Sequence, residues 1–185
     1  DRNTEAAATY RRAIELAPER RGEWLLPLAW QTLWSGDAAA GRTLFSEAQA
    51  AGIDLPDTWR GVASSCAALD RHPCAVEAWR KVLEAKPDDV DARRGLARAL
   101  LWSDQYTEAE SEYATLLAAN PLDEEARLGL AQVKNFSGRH RAAVREFDRI
   151  DSTTDEGLRV ARARALYWAG YADEAMPLLD TLQDP

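Results

Sequence analysis

Ala92-Arg93-Arg94-Gly95-Leu96-Ala97-Arg98-Ala99-Leu100-Leu101-Trp102-Ser103 is answered 34 residues later by Ala126-Arg127-Leu128-Gly129-Leu130-Ala131 and, at the same offset, by Phe136-Ser137. Outward from this pair, Ala29, Ala63, Ala97, Ala131 and Ala163 stand at separations of 34, 34, 34 and 32 residues. Gly41, Ala75, Ala109, Ala143 and Ala175 repeat those spacings twelve residues further on. Four beyond that column lie Phe45, Trp79, Tyr113, Phe147 and Leu179, and three beyond those lie Ala48, Val82, Leu116, Ile150 and Leu182. Columns held in phase over five units define an internal repeat. Gly61, Gly95 and Gly129 share the period, which marks them as a packing or groove feature rather than a phosphate loop.

Each unit reads as a helical hairpin. Trp34-Ser35-Gly36-Asp37, Trp102-Ser103-Asp104-Gln105, Phe136-Ser137-Gly138-Arg139 and Trp168-Ala169-Gly170-Tyr171 fall between the columns, and their Gly or Asp supplies the left-handed or capping conformation that ends one helix and starts the next. Pro18, Pro87 and Pro121 close second helices. Asp88, Asp89, Asp123, Glu124 and Glu125 follow where new helices begin and complement their dipoles. Small residues let paired helices approach, and the large residue four positions on fills the space beside them.

These residues carry a family resemblance. Trp59-x2-Val62-Ala63-x2-Cys66, Ala75-x3-Trp79 and Pro87 resemble the tetratricopeptide pattern W-x2-L-G-x2-Y, A-x3-F, P, and the resemblance covers essentially the whole chain. Arg93 and Arg127 occupy the tryptophan column, alanine replaces the pattern's first glycine, and proline is missing at Ile53 and Asp155. The last repeat is two residues shorter, with Arg162 where Leu28, Val62, Leu96 and Leu130 stand, which puts the packing of its hairpin in question. The fold class expected is all-α: a right-handed superhelical solenoid of antiparallel helical hairpins with about 11 helices. Its divisions are a second helix of a truncated repeat at 1–19 and hairpins at 21–53, 55–87, 89–121, 123–154 and 155–185. The first residue is Asp1 and neither end reads as a polar cap, so the expectation is a piece of a longer array.

Composition narrows the function. A net charge of −8 opposes binding to a phosphate backbone, and no apolar run reaches the ~20 residues of a membrane span. The only histidines, His72 and His140, fall in one column two repeats apart, where solvent-facing turn residues are expected rather than a shared metal or catalytic pair. No serine elbow, HExxH or Gly-rich phosphate loop is present, so neither catalysis, cofactor nor metal is expected. Cys66 and Cys74 are too few for a disulfide framework or a four-ligand zinc site. Across a short turn they can reach disulfide distance; otherwise Cys66 is a small core residue and Cys74 faces solvent or a neighbour.

The family resemblance implies that first helices line a concave, partner-binding face. On this sequence that face presents Arg60, Arg94, Arg98, Gln132 and Arg164, with Trp30, Trp34, Leu101, Trp102, Asn135, Phe136, Tyr167 and Trp168 near the hairpin tips. Arg94 and Arg98, four apart on one helix, are its expected centre. Guanidinium groups beside aromatic rings suit carboxylates, peptide ends or sugar rings. The tip rings can equally pack on the next repeat. The "ARxGLARxLxWSG" phrase resembles periplasmic parts of bacterial outer-membrane exporters of cellulose, poly-N-acetylglucosamine and Pel polysaccharides. That resemblance implies a non-catalytic scaffold in the periplasm, docking an enzyme or membrane component near a pore and touching polysaccharide transiently. The alternative is a free-standing cytoplasmic adaptor for peptide segments.

Overall fold

A computed structural model describes residues 2–150 and 156–180, and the described residues form eleven α-helices and no strand. They are α1 (Arg2–Leu16), α2 (Arg21–Trp34), α3 (Ala38–Ala50), α4 (Pro56–Ala68), α5 (His72–Ala85), α6 (Val90–Trp102), α7 (Tyr106–Ala119), α8 (Glu124–Phe136), α9 (His140–Phe147), α10 (Glu156–Ala169) and α11 (Ala172–Asp180). A single 3₁₀ turn, Pro18–Arg20, links α1 to α2. The chain divides into two compact units, Asp1–Ala99 and Leu100–Pro185, with the division inside α6. In the first unit α1 packs on α2, α2 on α3, α3 on α4 and α4 on α5. In the second, α7 packs on α8, α8 on α9, α9 on α10 and α10 on α11. Leu182, Asp155 and the ends of the expected hairpins 123–154 and 155–185 lie outside the described residues.

The columns are the core. Ala29, Ala63, Ala97, Ala131 and Ala163 are wholly buried, as are Ala75, Ala109 and Ala143 in the second column. Phe45, Trp79, Tyr113 and Phe147 are buried beside them, while Leu179 in the last hairpin is only half-buried. The 34-periodic glycines explain how the rings fit. A Cβ on Gly61 would lie 2.2 Å from the Phe45 ring, one on Gly95 2.4 Å from the Trp79 ring and one on Gly129 2.2 Å from the Tyr113 ring. Each glycine therefore leaves the recess that the ring sixteen residues earlier occupies.

The turns obey one rule. Gly36, Asp70, Asp104, Gly138 and Gly170 have φ of 97°, 54°, 59°, 78° and 90°, a left-handed conformation that glycine adopts freely and aspartate tolerates. The following amide then reaches back five residues, as from Arg71 to the Cys66 carbonyl (2.8 Å), from Gln105 to Leu100 (3.0 Å) and from Arg139 to Lys134 (2.8 Å). The acids after the prolines cap as well as complement the dipole. Asp89 accepts from the Ala92 amide and Asp123 from the Ala126 amide, each at 2.9 Å.

Of the two readings open for the cysteines, the structure has the bridged one: Cys66 at the end of α4 and Cys74 in the first turn of α5 form a disulfide with a Cα separation of 5.9 Å. Closing so small a loop stabilises by about 2.5 kcal/mol in the chain-entropy model. Cys66→Ala/Cys74→Ala is expected to lose about that much, measured by urea unfolding, and reductant should shift the wild-type midpoint while leaving the variant's unchanged.

Candidate functional site

In the first unit the expected site residues divide between those engaged in the core and those left exposed. Arg60 on α4 bonds Asp89 at 2.5 Å and lies 5.8 Å above the Trp79 ring centroid, so it joins the cap of α6 to the core. Burial pushes the Asp89 carboxyl upward, but the Ala92 amide and the Arg60 charge outweigh it and hold the group below the usual carboxylate range. Arg94 is half-buried, with Asp91 at 3.4 Å, whereas Arg98, one turn on, is exposed. Trp30 packs edge-on against Phe45 at 5.1 Å and reaches Asp57 with its indole N–H, while Trp34 is exposed.

The second unit carries exposed rings at several tips. Trp102 on α6 and Phe136 at the end of α8 are exposed with centroids 5.9 Å apart. Leu101, expected at the tips, is buried in the core. Gln132 is half-buried and Arg164 exposed. Asn135 is held by His140, whose Nδ1 lies 2.9 Å from the amide oxygen. Tyr167 and Trp168 are exposed and stack edge to face at 5.5 Å, and the Trp168 ring lies 6.2 Å from that of His140.

The histidines depart from expectation. Both are half-buried at the starts of α5 and α9, two residues after the left-handed Asp70 and Gly138: His72 lies 3.9 Å from Asp70, and His140 has Asn135 at 2.9 Å and the Trp168 ring at 6.2 Å. Among the described residues no group of three or more His, Cys, Asp or Glu side chains is arranged to hold a metal, and no helix is long and apolar enough to cross a membrane.

Comparison with known proteins bears on this arrangement. The tetratricopeptide repeat family model matches residues 69–133. A tetratricopeptide repeat protein from Parabacteroides merdae superposes with a TM-score of 0.84 at 19% identity, over 99% of this chain and 74% of that one. YrrB, described as a tetratricopeptide repeat protein with an unusual peptide-binding site, gives 0.71 at 16% identity, over 95% and 91%. MamA from Desulfovibrio magneticus gives 0.72 at 16% identity, over 88% and 97%. The fold is that of tetratricopeptide repeats. No curated protein matches the sequence.

Within the tetratricopeptide repeat fold, the departures noted in the sequence find physical explanations. Arg93 and Arg127, in the tryptophan column, donate to the carbonyls of Pro87 (2.8 Å) and Pro121 (2.5 Å), tying each first helix to the end of the preceding second helix. Trp59 in the same column donates its indole N–H to Asp54 at 2.5 Å. Arg162, the charged residue in a leucine column, bonds Asp148 at 2.6 Å, so the last hairpin accommodates it as an ion pair at its margin. Sequence reasoning missed Glu146, buried on α9 against Lys134, Arg127 and Arg149, and missed the arginines around it. The basic run Arg139-His140-Arg141, Arg145 and Arg149 in a chain of net charge −8 was a signal for a local concentration of cations, not for the buried carboxylate.

Proposed function

We propose that this tetratricopeptide repeat array is a non-catalytic protein-interaction scaffold, working as the periplasmic segment of an outer-membrane exopolysaccharide export or secretion protein and docking a synthase or modifying enzyme near the pore. The observation that carries the scaffold reading is the exposed set Trp102, Phe136, Tyr167 and Trp168 on hairpin tips, since exposed tryptophan, tyrosine and arginine are the residues that anchor protein interfaces. The Cys66–Cys74 disulfide supports an oxidising compartment. The alternative, a free-standing cytoplasmic adaptor for peptide segments, is favoured by the extent to which this chain spans YrrB, 91% of whose chain it covers.

Affinity capture from separated envelope and soluble fractions tests these readings, with wild type compared against Arg94→Ala/Arg98→Ala and Trp102→Ala. A protein retained from the envelope and lost with the arginines supports enzyme docking on the first helices, and glycan retention lost with Trp102 supports polymer contact. A partner found only in the soluble fraction supports the adaptor. Unchanged capture by both variants would leave a rigid spacer whose repeat number sets a distance.

A further inference from the structure

The second unit has a surface cleft of about 520 Å³ beside the turn between α8 and α9, lined by Arg139, His140, Arg141, Arg145 and Trp168. None of the basic residues belongs to the face expected from the sequence. Their roles differ. Arg139 is committed to Glu110 at 2.7 Å, and His140 is fixed by Asn135 at 2.9 Å. Arg141 and Arg145 lie one turn apart on α9, both are exposed, and neither forms an ion pair among the described residues. The Trp168 indole in the lining is 62% exposed yet braced by Tyr167 and His140, so its position is set before anything binds.

We propose that this cleft binds an acidic peptide segment of a protein partner, an Asp or Glu carboxylate taking the guanidinium of Arg141 or Arg145 and a neighbouring apolar side chain resting on Trp168. Two cations without internal acids, on a chain of net charge −8, are complementary to an anionic ligand, and the guanidinium fork matches a carboxylate. A neutral polysaccharide would use the indole but leave both guanidinium groups unmatched. The cleft lies at the hairpin tips and shares Trp168 with the face expected from the sequence, to which Arg141 and Arg145 add a contribution from a second helix. Only the class of its partner rests on the scaffold reading, and it shares no residue with the Arg94, Arg98 and Trp102 variants that test that reading.

The experiment is fluorescence anisotropy with a labelled, acetylated and amidated peptide of alternating Glu and Leu, its Gln-for-Glu counterpart and an oligogalacturonate. The Glu peptide should bind wild type, and Arg141→Ala/Arg145→Ala or replacement of Glu by Gln should each weaken it by about tenfold or more. Trp168→Ala should weaken it about fivefold and Arg12→Ala should leave it unchanged, circular dichroism confirming that every variant is folded. Equal binding of the Glu and Gln peptides, or wild-type affinity in the variants, would overturn the site. Oligogalacturonate binding through these residues without peptide binding would overturn the peptide assignment in favour of an acidic glycan. Loss of peptide binding here with unchanged capture of an envelope partner separates failure of this site from failure of the scaffold.

Discussion

Trp79→Ala is expected to lower the unfolding free energy by about 3–5 kcal/mol, the range for removing a large aromatic side chain from a packed core. The ring is only 8% exposed and is walled by Gly95 on the next hairpin and covered by the Arg60 guanidinium, so little can collapse into the space it leaves. Gly95→Ala probes the same contact from the other side. Alanine is favoured over glycine in a helix by about 1 kcal/mol, but the new Cβ would sit 2.4 Å from a buried indole that has no free end to swing away. Overpacking of about 1–3 kcal/mol should therefore win and destabilise the protein. In the Trp79→Ala background the recess is empty and the sign should reverse, Gly95→Ala then stabilising by about 1 kcal/mol. Urea unfolding of the four proteins decides the matter: a Gly95→Ala penalty of equal size in both backgrounds would show that the glycine is there for a reason other than the ring.

Glu146→Ala should cost about 3–5 kcal/mol, because it removes the one anion from a buried cluster of cations. The carboxylate is bonded to Lys134 at 2.6 Å, with Arg149 at 3.2 Å and Arg127 at 3.4 Å, and its own side chain is only 8% exposed. Lys134 and Arg127 are 15% and 17% exposed, which limits how far they can rehydrate once the carboxylate is gone. Burial alone pushes the Glu146 carboxyl upward, but the Lys134 hydrogen bond and the charges of Lys134, Arg149 and Arg127 outweigh it and leave the group below its ordinary value of 4.5. A depressed carboxyl contributes stability that is fully present above its unfolded value and is lost as pH falls through the folded one. The midpoints of wild type and Glu146→Gln should accordingly differ most above pH 4.5 and converge as acid protonates the carboxyl. A gap that stays constant down to pH 3 would mean that the ion cluster is not the source of the effect.

The fold was legible because its information is periodic. Alanines and rings recurring every 34 residues specify which faces meet, and the left-handed Gly or Asp in each turn is visible as a residue type. The candidate site was legible only as a list of residue types on a first helix. Spacing placed Arg94 and Arg98 on one helix, but it could not show that Arg60 is taken up by Asp89, twenty-nine residues away, or that Leu101 turns into the core beside the exposed Trp102. Glu146 stayed hidden for a related reason. Its partners come from α8 and from the turn after α9, and one acid in a chain with 31 acidic residues has no local mark that distinguishes a buried carboxylate from a solvated one. The glycines were recognisable as a series, yet the ring each receives lies on a different helix and is named only by three-dimensional packing.

The bridge between Cys66 and Cys74 has a mechanical consequence. If the chain is pulled from both sides, tension crosses from α4 to α5 through the two sulfurs, and residues 67–73 carry none of it. The segment they form would otherwise yield roughly 20 Å of extra length at ~3.5 Å per residue, which the bridge withholds for as long as it stays oxidised. Hairpins in such arrays open in sequence from their neighbours. The bridged one gives up less extension when it opens, so a traction experiment should register a short step in oxidised protein that lengthens by roughly 20 Å once the protein is reduced.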